Sequence, residues 1–241
     1  MKKRLDDLLV ARGLAETLEQ ARALIMAGQV SAKGRRLEKV GQLVSVDLDV
    51  HVKPQPKYVS RAGDKLASVA SVLGLNFVGL TVLDVGSSTG GFTDFVLQNG
   101  AARVFGVDVG TAQLAYKLRQ DPRVTLMEQT DIRHAKLPEL ADMAVVDVSF
   151  ISLREVLGAT AALVKSGGLI VAMAKPQFEA NKATADEYRG VIPVGEVRDE
   201  ILDDLRQWMA SDFEIWGEAD SGVAGDRGNV ERFFGLRSKR S

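Results

Sequence analysis

The 241-residue chain has no cysteine, two histidines and only 6% aromatic residues. Without cysteine there is no disulfide framework, thiolate zinc site, iron–sulfur cluster or thiol nucleophile. His51 and His134 stand far from other ligand candidates, so no metal is expected. No stretch approaches the ~18 consecutive apolar residues of a membrane span. The opening Met1-Lys2-Lys3-Arg4-Leu5-Asp6-Asp7 also lacks the apolar segment of a secretory signal. These absences lead to the expectation of a soluble, cytoplasmic protein without a membrane partner. With 46% hydrophobic and 26% charged residues, the chain can bury a globular core unaided. Its net charge of −1 hides an imbalance: residues 1–60 carry 11 basic and 7 acidic side chains, residues 61–241 carry 20 and 25. A basic module on a mildly acidic body suggests that a polyanion is contacted at one end.

Residues 1–60 read as two short helices and a small β unit. Leu5, Leu8 and Leu9 recur at helical spacing, and Gly13 closes that helix. Thr17 with Gln20 forms a capping-box pattern for a second helix. Ala21, Leu24 and Ile25 face its core, and Gly28 ends it. A hairpin turning at Lys33-Gly34 follows, and residues 44–50 alternate as a strand does. This block resembles the S-four RNA-binding domain through Arg4-Leu5-Asp6, Leu8-Leu9, Gly13-Leu14, Ala21, Leu24-Ile25, Gly28-Gln29-Val30 and Gly34. The resemblance implies RNA contacts through Lys3, Arg4, Arg12, Arg22, Lys33, Arg35 and Arg36. Two departures stand out: Leu18 takes a position where the family usually has arginine, and Lys33 replaces the common Asn or Asp before the glycine. The expected division is a domain over 1–52, a stiff proline-containing linker over 53–59, and a second domain over 60–241.

Past residue 60 the pattern alternates helix and strand, as in a mainly parallel sheet. A helix carrying Leu66, Val69, Ala70 and Leu73 ends at Gly74. Strands are expected over 80–85, 103–108, 123–127, 143–148 and 168–174, with helices over 91–99 and 152–165 between them. Residues 176–195 read as a long loop and 196–210 as an amphipathic helix. Strands over 212–218 and 229–237 close the chain as an antiparallel pair. The fold class is α/β: a Rossmann-like, mostly parallel sheet with an antiparallel last strand, plus a small α+β N-terminal domain.

After the first of these strands comes Asp84-Val85-Gly86-Ser87-Ser88-Thr89-Gly90-Gly91-Phe92. A dinucleotide loop reads G-x-G-x-x-G and sets a pyrophosphate on a helix N-terminus. This loop reads D-x-G-x-x-x-G-G instead. The acid ahead of it repels a diphosphate but suits a ligand bearing an ammonium and a sulfonium, such as S-adenosylmethionine. Asp108, at the end of the next strand, is placed to accept ribose hydroxyls, and Asp131, past the third, to meet an adenine amino group. A single acid of this kind is more often a helix cap. Three at consecutive strand ends converge on the crevice where such sheets bind ligands.

Two further strands end in charge: Val146-Asp147, followed by Val148-Ser149-Phe150, and Ala174-Lys175, followed by Pro176-Gln177-Phe178-Glu179. These motifs, with Tyr58-Val59-Ser60-Arg61, Lys65-Leu66, the glycine loop and Gly228-Asn229-Val230-Glu231, are similar to those of the TlyA family, whose members carry haemolysin A or rRNA 2′-O-methyltransferase descriptions. The second domain is similar to FtsJ-type ribose methyltransferases. The resemblance implies a Lys–Asp–Lys–Glu tetrad at Lys65, Asp147, Lys175 and Glu231. It departs at Thr130-Asp131-Ile132-Arg133, where the family more often has Asn-Val-Arg. Taken singly, Lys65 and Glu231 read as surface residues and Asp147 as a helix cap.

The expected function is S-adenosylmethionine-dependent 2′-O-methylation of a ribose, cytidine by family resemblance, in ribosomal RNA. Lys175 is then the base, Asp147 and Lys65 orient it and the ribose, and Glu231 completes the set. Phe178 and Tyr188 are candidates to stack on a nucleobase or to pack the loop. The alternatives are a non-catalytic RNA-binding protein of ribosome assembly, a pore-forming haemolysin and a small-molecule methyltransferase. A monomer acting on ribosomal RNA or subunits is expected, with the short tails favouring one substrate, the large subunit.

Overall fold

The computed structural model describes residues 1–53, 56–225 and 227–239. The chain divides into two compact units, Met1–Pro56 and Lys57–Ser241. Pro54 and Gln55 of the expected linker lie outside the described residues.

The first unit runs β1 (Lys2–Arg4), α1 (Leu5–Ala11), α2 (Leu18–Met26), β2 (Val30–Ala32), β3 (Arg35–Arg36), β4 (Leu43–Ser45) and β5 (His51–Val52). The helices put Leu5, Leu8, Leu9, Ala21, Leu24 and Ile25 into one core with Val30, Val44 and Val50. The expected cap forms: Thr17 Oγ1 accepts from Gln20 N–H at 3.1 Å. Gln20 Oε1 reaches back one residue further than the pattern implies, to Glu16 N–H at 2.7 Å. Of the strand expected over 44–50 only Val44 and Ser45 lie in a sheet, in β4; residues 46–50 turn away, and β5 begins beyond them in a different sheet. β4 pairs with β1 and β5 with β2, both antiparallel. A turn closed by the Leu48 N–H on the Ser45 carbonyl separates them. β1 has no signature in the sequence because three basic residues show no alternation.

The second unit runs α3 (Arg61–Ala70), β6 (Thr81–Val85), α4 (Gly91–Gln98), β7 (Arg103–Val107), α5 (Tyr116–Arg119), β8 (Val124–Met127), β9 (Ala141–Val146), α6 (Leu153–Ala162), β10 (Val164–Ala174), α7 (Pro176–Glu179), α8 (Lys182–Glu187), α9 (Glu196–Asp212), β11 (Phe213–Asp220) and β12 (Arg232–Ser238). The sheet order is β11-β12-β10-β9-β6-β7-β8. Neighbours from β10 to β8 are parallel, while β12 runs antiparallel to both β10 and β11. One apolar layer, with Leu83, Phe105, Leu157 and Leu205, packs against one face. A second, with Leu66, Phe95, Val145 and Phe233, packs against the other. The order reverses between β6 and β9, so the loops after these two strands diverge and open a crevice at their carboxyl ends.

Two expectations fail here. The loop expected over 176–195 contains α7 and α8. Pro176 takes the first helical position of α7, where its missing N–H is harmless. Asn181 caps α8 by accepting from Thr184 N–H at 2.9 Å. The helix expected over 152–165 stops at Ala162, because Val164 already pairs with Ala141 in the sheet.

The β2–β3 turn carries strain that the sequence explains. Lys33 has φ +49° and Gly34 φ +74°, the left-handed pair of a two-residue hairpin turn. Lysine disfavours that region, whereas asparagine tolerates it. Lys33→Asn is expected to stabilise the first unit by about 0.5–1 kcal/mol and Lys33→Val to destabilise it. Urea unfolding of the full chain, read by backbone amide resonances of that unit, checks both signs.

Candidate active site

The glycine loop opens α4 and is shaped by neighbouring chain. Gly86 has φ +81°, and a Cβ there would lie 2.4 Å from the Asp147 carbonyl oxygen. Any side chain would push the loops after β6 and β9 apart. Gly91 likewise faces Gly63 of α3, whose amide nitrogen would lie 2.8 Å from an added Cβ. Beyond the loop, Asp108 is held by the backbone. Its Oδ2 accepts from Ser88 N–H and its Oδ1 from Gly110 N–H, each at 2.7 Å. These bonds fix the carboxylate while leaving each oxygen a lone pair for a further donor.

A cleft of about 360 Å³ lies along these strand ends. Gly86, Ser88, Asp108, Asp131 and Asp147 line it, with apolar walls from Val109, Ile132, Val148 and Ile151. Asp131 is less available than its position suggests. Arg133 pairs with its carboxylate at 2.6 Å and holds its pKa down at about 2. Ser87 and Phe92 lie behind the surface. Ser87 is buried with its Oγ unpartnered, and Phe92 packs in the core against Phe233. Thr89 and Gly90 shape the turn: the Thr89 carbonyl accepts from Ala115 N–H and the Gly90 N–H donates to Ser87. Asp84 is wholly buried beneath the loop rather than in the cleft wall. Thr93 Oγ1 donates to its Oδ2 at 2.6 Å, and Oδ1 has no partner. Burial pushes its pKa up to about 7, with the nearby Asp147 charge adding to the rise and the Thr93 bond opposing it.

The four tetrad candidates stand as two ion pairs. Lys175 Nζ is 2.6 Å from Asp147 Oδ1 and donates to Ser149 Oγ at 2.8 Å. Lys65 Nζ donates to Glu231 Oε1 at 2.7 Å. Glu231 is not inside the last strand as expected but one residue before β12. The pairs are neighbours by register: Ala174 lies opposite Arg232, so Lys175 and Glu231 follow side by side at the sheet edge.

Two residues named in the sequence only within motifs, without a role, complete this edge. Phe150 is 90% exposed, has φ +64°, and lines the cleft with its ring centroid 5.0 Å from that of Phe178. Such exposure of a large aromatic in a strained conformation marks a candidate contact surface. Glu179, at the end of α7, accepts from Ser152 Oγ at 2.5 Å and Leu153 N–H at 2.8 Å. It caps α6 from across the chain and ties the segment after Lys175 to the loop holding Asp147, Ser149 and Phe150. Burial raises its pKa. Gln177, beside Lys175, has a buried carbonyl oxygen without a partner. Tyr188 is half-buried after α8.

In the first unit all seven basic candidates are exposed, but three have intramolecular work. Arg4 and Arg22 both bind the buried Asp6, whose pKa falls to about 2 chiefly through the Arg4 hydrogen bonds. Arg12 donates to the Val46 and Leu48 carbonyls. Lys3, Lys33, Arg35 and Arg36 are exposed on β1, the hairpin turn and β3. Among the described residues no cluster of three His, Cys, Asp or Glu is placed to hold a metal, and no helix is long and apolar enough to cross a membrane.

A seven-stranded sheet with one reversed strand, a glycine loop after β6 and acids at successive strand ends defines a Rossmann-like methyltransferase. The FtsJ-like methyltransferase model matches residues 58–238 and the S4 domain model residues 3–50. The chain belongs to the FtsJ-like methyltransferase family and carries an S4 domain. It is 42% identical to the provisionally described rRNA methyltransferase YqxC of Bacillus subtilis over 95% of this chain and 84% of that one. It is 38% identical to the 16S/23S rRNA (cytidine-2′-O)-methyltransferase TlyA of Mycobacterium tuberculosis, over 99% and 91%. A solved structure from Streptococcus thermophilus with a provisional hemolysin description shares 39% identity, with TM-score 0.73 over 100% and 90%.

The buried Asp84 sets a pH dependence. A proton retained in the fold up to about pH 7, but lost from the unfolded chain near 4, stabilises fully below pH 4. Stability therefore falls as pH rises from about 4 to 7, by at most about 4 kcal/mol. Asp84→Asn is expected to flatten that fall. Urea unfolding free energies of both proteins across this range check it, and parallel slopes would exclude it.

Proposed function

We propose that the protein transfers a methyl group from S-adenosylmethionine to a ribose 2′-hydroxyl of cytidine in ribosomal RNA. The observation that carries this reading is the Lys175 amine, fixed between Asp147 and Ser149 on the cleft rim beside the Lys65–Glu231 pair. The cleft suits this cofactor. Asp108 offers a lone pair on each oxygen to ribose hydroxyls, and the apolar walls suit a purine. When bound, the cofactor supplies a methyl group on a positively charged sulfur that leaves as a neutral thioether, so the protein needs no general acid.

The protein's own task is to align and deprotonate a poor nucleophile. Lys175 in its neutral form takes the 2′-hydroxyl proton. Asp147 and Ser149 fix the nitrogen that receives it. Lys65 does not pair with Asp147; Glu231 holds it, and its ammonium orients the incoming ribose. Phe150 offers an exposed ring to a base drawn out of its stack. The S4 unit grips folded RNA through Lys3, Lys33, Arg35 and Arg36. Arg4, Arg12 and Arg22 contribute as their internal bonds permit. The similarity to the TlyA methyltransferases supports rRNA as substrate and the cytoplasm as the place of action.

The test is labelled-methyl transfer from S-adenosylmethionine to unmodified small and large ribosomal subunits, with Lys175→Ala alongside. The variant should lose about 10²–10⁴-fold in rate, while calorimetric affinity for S-adenosylhomocysteine stays within about twofold. Equal loss of cofactor-product binding would refute the base role. Binding of S-adenosylhomocysteine without methyl incorporation into either subunit would favour a non-catalytic RNA-binding protein.

A further inference from the structure

Arg198 lies in the first turn of α9 and is 1% exposed. Among the described residues it is the one basic side chain wholly buried. Burying a guanidinium is expensive, and an apolar residue of similar volume often serves stability as well or better. Its contacts show what it does instead. Nε donates to the Val230 carbonyl at 3.1 Å, Nη2 donates to Asp220 Oδ1, and Nη1 reaches Asp199 Oδ1 at 3.4 Å. Asp220, at the end of β11, also accepts from Arg232 Nε at 2.7 Å. The residues on both sides of Glu231 are thus tied to one arginine–aspartate centre.

Neighbouring bonds complete the frame. The buried Asn229 accepts from Ile192 N–H at 2.8 Å and donates to the Gly190 carbonyl at 2.9 Å. The Glu231 carbonyl accepts from Ser221 N–H at 2.8 Å. Ser68 of α3 accepts from Gly222 N–H at 2.9 Å, joining this loop to the helix that bears Lys65. The Glu231 carboxylate itself is held lightly: Lys65 occupies Oε1, and the buried Oε2 has no partner. Its placement therefore depends on its main chain.

We infer that Arg198 is a positioning residue for methyl transfer, holding the Val230 carbonyl and Asp220 so that Glu231 presents Lys65 to the substrate. This rests on the proposed methyl-transfer reading. Arg198 touches neither the cleft nor the ion pairs, so it acts through Glu231 alone. Misplacement of a reacting group by about 1 Å from a distant substitution costs about a hundredfold in rate.

The experiment compares R198M, E231Q and the double variant for methyl transfer to unmodified ribosomal subunits at saturating S-adenosylmethionine. S-adenosylhomocysteine affinity and thermal midpoint are measured for each. R198M is expected to lower the transfer rate about a hundredfold, with S-adenosylhomocysteine affinity within about twofold. The double variant is expected to be no slower than E231Q, and R198K to recover part of the rate by restoring the charge without the fork. D220N, which weakens the same centre from a partly exposed side, replaces R198M if that protein does not fold. Losses that multiply in the double variant would assign Arg198 a general structural role and overturn the inference, as would an R198M rate equal to that of the unaltered protein. A fully active E231Q would refute the site reading at Glu231, and this inference with it. Loss confined to Lys175→Ala and E231Q would overturn the inference alone.

Discussion

The reversal of β12 is the constraint on which the edge bearing the two ion pairs depends. In a parallel strand, the residue before the first lies at the amino edge of the sheet, away from the cleft. Glu231 precedes β12, and only because β12 is antiparallel does it emerge at the carboxyl edge with Lys175. The register does the rest: a one-residue slip in the Ala174–Arg232 pairing would turn alternate side chains to the opposite face. The fold of the last two strands therefore determines which acid meets Lys65, a helix residue 166 positions earlier in the chain.

The loops at that edge are mechanically joined. Gly86 lets the Asp147 carbonyl approach the glycine loop, and the Asp147 amide donates to Val85 at 2.9 Å. Glu179 then links the far side of the Asp147–Ser152 loop to the segment after Lys175. Short bonds thus join the loop walls at this edge to one another.

Local features were legible in the sequence and distant pairings were not. Leu5, Leu8 and Leu9 declare a helix face because helical period is a property of adjacent residues. The D-x-G-x-x-x-G-G loop declares a crevice for the same reason. Asp84 illustrates the boundary: its place in the loop was readable, yet whether it faces ligand or core depends on how α4 packs. Phe150 stands within a sequence motif, but its role is not legible there because a positive φ on a non-glycine residue leaves no mark in composition. The helices over 176–187 were missed because each is under two turns, too short for a period to show. Proline at a first helical position and Asn181 three residues before Thr184 were the available signals. Arg198 looked like one more charge on an amphipathic helix, since burial against Val230 follows only from tertiary structure.

On the proposed reading, the two ion pairs have a consequence for how RNA would be met. Lys175 with Asp147, and Lys65 with Glu231, make an edge that is locally electroneutral when all four are charged. Such an edge exerts little long-range pull on a phosphate backbone, and salt screens partly buried pairs like these less than open surface charge. On the proposed reading, attraction of a polyanion falls to the exposed lysines and arginines of the S4 unit, whose grip would weaken as counterions accumulate. Capture and chemistry, so assigned, would have different ionic sensitivities within one polypeptide.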